Sequence, residues 1–258
     1  MDDPKGKILL SVENLCAGYG GKEVLHNVSA GFESGKVTVI AGPNGCGKST
    51  LLKALIRIIP LSGGRISACG RDVREMTSAE LARHVAYLPQ KKSIPDLTVM
   101  TMTLHGRFAH LSYPRRYKKE DIAAAEEALK ITELTGLADE NMSRLSGGTQ
   151  QRAFLAMALA QSSPVILMDE PASFMDISYQ IKLMELSRRL ADSGKAIVMV
   201  LHDLPAALKY ADEIIVMSDG KITASGAPEK IFESGILDLV FGIEMKRTFT
   251  ENGAVYYC

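Results

Sequence analysis

The chain has no apolar run long enough to cross a bilayer. Its longest unbroken one, AIVMVL from Ala196 to Leu201, falls far short of the ~20 residues that a spanning helix needs. The N-terminal MDDPKGK opens with two aspartates and lacks the apolar centre of a secretory signal. Both absences predict a chain that is itself soluble, and both leave docking on a membrane protein open. Charge of either sign is not in excess: thirty basic residues balance thirty acidic ones. Overall charge therefore gives no argument for nucleic acid as a partner, although neutrality says nothing about local patches. Cysteine is scarce and scattered. Cys16, Cys46, Cys69 and Cys258 form no close pair and no set interleaved with histidines, which argues against a metal knuckle or a disulfide framework and fits a reducing compartment. Low-complexity tracts, linkers rich in Pro, Gly or Ser, and internal repeats are missing too. A chain of 258 residues, 46% apolar, then reads as one compact unit with internal subdivisions.

What is present is a change of texture along that unit. ILLSVENL and EVLHNVSAGFE alternate loosely around GYGGK, predicting two antiparallel strands and their turn. KVTVIAG reads as a buried strand that ends in a glycine-rich loop and the helix STLLKALIRII. From Leu97 to Ala160 strand-like runs disappear, and DIAAAEEALKITEL has helical spacing, so 97–160 is expected to be a helical insertion. Alternation of β and α resumes with PVILMDE, ISYQIKLMELSRRLADSG, KAIVMVLHD, LPAALKYA, EIIVMSDG and KITASG, read together as a parallel α/β core. Ala227 to Cys258 gives a short helix pattern and then no placed element.

GPNGCGKS, Gly42 to Ser49, matches G-x-x-x-x-G-K-[ST] between a predicted strand and a predicted helix, the context a phosphate loop requires. The loop holds Pro43, which has no N–H, and the N–H groups of Gly42, Asn44, Gly45, Cys46 and Gly47 through to Thr50 can wrap phosphates. Lys48 supplies charge towards the β- and γ-phosphates, and the Ser49 hydroxyl suits Mg²⁺. Cys46 reads as a small residue that fits the loop, with a redox switch as the alternative; bulky alkylation there is expected to block nucleotide binding.

VILMDEP, Val165 to Pro171, sets two carboxylates at a strand's C-terminal end, where open α/β sheets place ligands. Asp169 is suited to hold Mg²⁺ through a water and Glu170 to polarise an attacking water. The next strand ends in VLHD, which puts His202 at the same sheet edge. A second candidate anion site begins at Ser146, where Gly147 and Gly148 open a helix: unobstructed N–H groups and a positive helix end favour an anion. From Ala153 to Ala160 that helix is apolar almost all round, which predicts a rigid mount.

In order, then, stand Tyr19 in AGYGG, the loop Gly42 to Thr50, Gln90 in YLPQ, LSGGTQQ, Asp169 with Glu170, SFMD ending at Asp176, and His202. This succession resembles the ABC transporter ATPase subunits over nearly the whole length. The resemblance implies an α/β fold with a P-loop NTPase core and a parallel sheet, an N-terminal antiparallel β subdomain and an inserted α-helical subdomain. The expected layout is a single nucleotide-binding domain over 1–258, with 1–96 and 161–258 as core and β subdomain and 97–160 as the helical signature subdomain. HGRFAH, MDISYQ, LHDL followed by YADEI, and GAPEKIF resemble in particular the subunits of iron-siderophore, haem and cobalamin importers. Ala109 stands where that group usually has proline.

The same resemblance implies ATP and Mg²⁺ as ligands, Tyr19 stacked on adenine, and Ser49, Gln90 and Asp169 around the metal. Catalysis would fall to Glu170, His202, Gln90 and Lys48. Two copies would meet head to tail, the Ser146, Gly147 and Gly148 of one covering the phosphates held by the other, with Asp176 steadying the interface. Partners would be that second copy, a dimer of multi-span permeases, and a substrate-binding protein reached through the permease, with no nucleic acid. The location would be peripheral, on the inner face of the cell membrane. Two departures from the family pattern stand out: Thr149 where Gln or Glu is usual in the signature, and Met175 where Leu is common. A soluble ABC ATPase outside transport, an exporter subunit and a non-hydrolysing ATP-switched module are the alternatives. The last would have lost Glu170 or His202, and both are present.

Overall fold

The computed structural model describes residues 6–90, 93–172, 176–251 and 253–258. The motifs fall within these residues, except that Ser173, Phe174 and Met175 of SFMD lie outside the described residues. Strands β1 (Ile8–Tyr19) and β2 (Lys22–Glu33) pair antiparallel and turn at Gly20 and Gly21, whose φ angles are 56° and 82°. A two-residue hairpin turn of this kind needs positive φ at both positions. β3 (Val37–Ala41), buried throughout, leads into α1 (Lys48–Leu55).

STLLKALIRII was expected to be helical throughout, but α1 stops at Leu55. Arg57 takes φ 59°, Ile58 N–H reaches back to Lys53 O, and the Arg57 guanidinium donates to Val73 O and Met76 O. Those two long-range hydrogen bonds offset the cost of a left-handed non-glycine residue.

β4 (Leu61–Ala68) and β5 (Arg71–Asp72) complete an antiparallel sheet ordered β2-β1-β4-β5. α2 (Ser78–His84) starts with a reciprocal cap between Thr77 and Glu80 and feeds β6 (Val85–Leu88). Helices α3 (Val99–His105), α4 (Lys119–Ile131) and α5 (Gly147–Ala160) then pack on one another. Ala153, Phe154, Leu155, Ala156, Ala158 and Ala160 of α5 are all buried, as the all-round apolar pattern predicts.

The HGRFAH segment closes this helical region. A Cβ on Gly106 would lie 2.1 Å from Met157 O, so only glycine lets the segment approach α5. Arg107 donates to the Asp121 carboxylate at 2.9 Å and to Ala160 O at 3.0 Å, and His110 Nε2 lies 2.9 Å from Gln161 O. These three residues hold α3, α4 and the end of α5 together.

The remaining elements alternate: β7 (Val165–Asp169), α6 (Ile177–Asp192), β8 (Ala196–Val200), α7 (Leu204–Tyr210), β9 (Glu213–Ser218) and β10 (Lys221–Gly226). They form a six-stranded sheet ordered β10-β9-β3-β8-β7-β6. The strands from β9 to β6 are parallel. KITASG departs from the expected parallel core: as β10 it runs antiparallel to β9. Only Asp219 and Gly220 separate the two strands, which permits a hairpin but not a crossover.

Alternate residues of the parallel strands enter two different cores. Val39, Ile166, Met168 and Met199 face the cluster that includes α5, α6 and α7, while Ile40, Leu167, Val198 and Val200 face α1 and the antiparallel sheet. The tail begins with the expected short helix, α8 (Pro228–Glu233), and the part left unplaced from sequence contains α9 (Ile236–Phe241) and a hairpin of β11 (Lys246–Thr250) with β12 (Gly253–Tyr257). Among the described residues no helix is long and apolar enough to cross a membrane.

Candidate nucleotide site

β3, β7 and β8 are neighbours in the sheet and point the same way, so the segments that follow them gather at one edge. Asn44, Gly45, Gly47, Lys48, Ser49, Thr50, Gln90, Glu170 and His202 line one cavity of about 470 Å³. The loop's shape is enforced by its glycines. A Cβ on Gly42 would meet Met217 O at 2.3 Å and Cys46 Sγ at 2.6 Å, and Gly47 sits at φ 106°, which side chains disfavour. Gly220 N–H donates to Cys46 O, tying the loop to the β9–β10 turn. Lys48 is buried, its Nζ donating to Gly42 O at 2.7 Å and Pro43 O at 2.9 Å. Cys46 is buried as well, and burial pushes its thiol pKa up, so it is a poor nucleophile in the folded chain.

The Ser49 hydroxyl donates to Asp169 Oδ1 at 2.9 Å, and the Tyr87 hydroxyl donates to Oδ2 at 3.2 Å. Burial raises the Asp169 pKa, opposed by these two hydrogen bonds. The Tyr87 phenol is itself pushed up, first by burial and then by the Asp169 charge. Sequence reasoning missed Tyr87; its place at the end of β6, three residues before Gln90, was the signal available.

Glu170 follows with φ 51°, a conformation that costs a non-glycine residue about 1–3 kcal/mol and is typical of functional positions. Its two oxygens are engaged from two sides: Gln90 Nε2 donates to Oε2 at 2.5 Å, and His202 Nε2 lies 2.7 Å from Oε1. The Glu170 side chain is 15% exposed and that of His202 is 45% exposed. A carboxylate held beside an imidazole and an amide, next to a phosphate loop, can polarise a water and keep it oriented.

Ser146, Gly148 and Asp176 do not join this cavity. With Thr149, Arg152, Ser178, Tyr179 and Lys182 they line a separate one of about 460 Å³. Ser146 caps α5, and Gly147 is that helix's first residue. A Cβ on Gly147 or Gly148 would meet nothing within 4 Å, so neither glycine is there for packing. The Ser146 and Thr149 hydroxyls lie 2.9 Å apart, and Arg152 donates to Thr149 Oγ1 at 3.3 Å. Asp176 caps α6 through Oδ1, which accepts from Tyr179 N–H and the Ser178 hydroxyl. Tyr19, at the end of β1, is 47% exposed and is not among the residues lining either cavity.

The strand order, the phosphate loop after β3 and the carboxylates after β7 define a P-loop NTPase of α/β architecture. The family model for ABC transporters matches residues 25–173, and the chain belongs to that family. It is accordingly an ATP-binding ABC ATPase. It is 40% identical over 233 residues to the ferric enterobactin transport ATP-binding protein FepC of Escherichia coli (strain K12), covering 90% of this chain and 86% of FepC. Among solved structures it resembles a metal-chelate type ABC transporter in an inward-facing conformation, with a TM-score of 0.83, 26% identity, and 97% of this chain and 96% of the other covered. It also resembles the ATP-binding cassette MJ0796 in a dimeric post-hydrolysis state with ADP and Pi, with a TM-score of 0.74, 28% identity, and 85% and 98% covered.

Proposed function

We propose that the chain is one nucleotide-binding domain whose two cavities are the two halves of an ATP site completed between copies. In this reading 1–96 and 161–258 form the core with its β subdomain, and 97–160 forms the helical signature subdomain. The observation that carries it is the separation of the phosphate loop and Glu170 from Ser146, Gly148 and Asp176 into different cavities on one chain. Each is an incomplete cradle, and head-to-tail pairing sets one against the other. The dimeric state described for the similar cassette MJ0796 supports such a pairing.

Within each site the loop N–H groups of 42–50 and Lys48 bind the phosphates, and Tyr19 stacks on the adenine. The donor set suits Mg²⁺, since Ser49 and Asp169 already place a hydroxyl and a carboxylate together and Gln90 adds an amide oxygen, all hard ligands. When bound, Mg²⁺ supplies charge neutralisation at the β- and γ-phosphate oxygens. Glu170 takes the proton of the attacking water as its oxygen bonds to the γ-phosphorus and the bond to the β-phosphate oxygen breaks. His202 and Gln90 keep Glu170 and the water aligned. Ser146 and the N–H groups of Gly147 and Gly148 meet the γ-phosphate of the partner copy's ATP, and Asp176 steadies the interface.

Closing and opening of this dimer drives a permease dimer with many membrane helices, so the chain works as a peripheral subunit on the inner face of the membrane. The cargo class we favour is an iron chelate such as a siderophore or haem, supported by the likeness to FepC and to a metal-chelate type transporter. Purification of the tagged chain from gently solubilised native membranes tests this reading. A multi-span permease in equal amount supports it; a soluble partner alone would favour a non-transport ABC ATPase.

A further inference from the structure

The chain is neutral overall, yet YPRRYKK, residues 113 to 119, carries four cations and no acid. None of Arg115, Arg116, Lys118 and Lys119 has a salt-bridge partner among the described residues. Asp121 nearby is already committed to Arg107 and to Lys118 N–H, which leaves Glu120, on the first turn of α4, as the adjacent acid. The same stretch concentrates exposed apolar surface. Tyr113 is 97% exposed, and Phe108, Tyr117 and Ile122, close to it in sequence, are exposed as well. The Arg115 guanidinium lies 4.4 Å above the Phe108 ring, so its charge and an aromatic face are presented together. The base of the patch is fixed: Arg83 donates to Ala109 O, and His110 packs on Gln161 O.

We infer that this segment is a membrane-surface contact that rests on anionic lipid headgroups. Charge complementarity names the occupant. Unpaired Lys and Arg are drawn to an anionic leaflet, each cation near the surface strengthening binding about fivefold. Exposed Tyr and Phe rings beside them suit the headgroup layer, where an aromatic body and a polar edge are both satisfied. The inference goes beyond the ATPase reading, because the patch shares no residue with either nucleotide half-site.

The test is co-sedimentation of the full chain with vesicles of phosphatidylcholine, with or without phosphatidylglycerol. The chain should pellet with the mixed vesicles, stay in solution with phosphatidylcholine alone, and be released by salt. Reversing Arg115→Glu together with Arg116→Glu should weaken binding by at least about twentyfold, and Tyr113→Ser should weaken it less. ATPase turnover unchanged in these variants shows that they are folded. Equal binding to both vesicles, or unweakened binding by the charge-reversed variant, would overturn the inference. So would a chain that ignores both vesicles but loses its copurifying permease on charge reversal, which would give the patch to an acidic protein surface.

Discussion

The Ser49 hydroxyl reaches Asp169 Oδ1 at 2.9 Å across 120 residues of sequence. That single hydrogen bond joins the helix after the phosphate loop to the end of β7, so the groups proposed to hold the metal are assembled by the sheet itself. Asp169→Asn keeps the shape and removes the charge. It should leave the fold intact and weaken Mg²⁺-dependent ATP binding, while binding measured in EDTA changes little; calorimetric titration with and without the ion checks this. An equal loss in both conditions would assign Asp169 to the nucleotide rather than to the ion.

Thr149 is the signature residue that departs from the family pattern, and its hydroxyl sits 2.9 Å from that of Ser146. Thr149→Val preserves shape but removes that hydrogen bond, worth about 1 kcal/mol. ATP-driven dimerisation should weaken several-fold while ATP binding by the single chain is unchanged, and Thr149→Ser should restore it. Sedimentation at a series of chain concentrations gives the comparison.

Cys46 is covered by its own loop, and burial raises its thiol pKa. It should react slowly with maleimides, and more slowly still with ATP present. Once fully modified, the chain should no longer bind nucleotide, because the added bulk has no room under the phosphate loop. Mass spectrometry of the adduct paired with a fluorescent-nucleotide titration tests the point, and full modification with unchanged affinity would contradict it.

Burial alone would push the Asp121 carboxyl up, but hydrogen bonds from Lys118 N–H and the Arg107 guanidinium hold it below the usual carboxylate range. A depressed carboxylate contributes stability above its unfolded pKa of about 3.9 and loses it as pH falls through the folded value. Arg107→Ala strands Asp121 in a buried position and should cost about 3 kcal/mol near neutral pH. That difference from the parent chain should shrink on acidification as Asp121 protonates. Urea unfolding at two pH values reads both effects.

Legibility from sequence followed the reach of the physics involved. The phosphate loop, the VILMDEP strand end and the opening of α5 are local patterns whose side chains act where the chain puts them, and all stood out. The Gln90–Glu170–His202 cluster needs three separate segments to converge, so the sequence named its members without their contacts. Tyr87 and Arg152 were invisible because their meaning lies wholly in Asp169 and Thr149, distant in space or outside any pattern. The end of α1 was not legible because Arg57 is stabilised by the carbonyls of Val73 and Met76, a tertiary override of helix propensity. The direction of β10 is set by the two-residue turn at Asp219 and Gly220, a signal that the alternation of elements does not carry.

The most direct measurement is the mass in solution, by light scattering, of Glu170→Gln with and without ATP, beside the same variant carrying Ser146→Arg. The account predicts that Glu170→Gln loses turnover, binds ATP and becomes a dimer with it, whereas the double variant binds ATP and stays monomeric. A double variant that dimerises like the single one, or one that no longer binds ATP at all, would contradict a site completed between two copies.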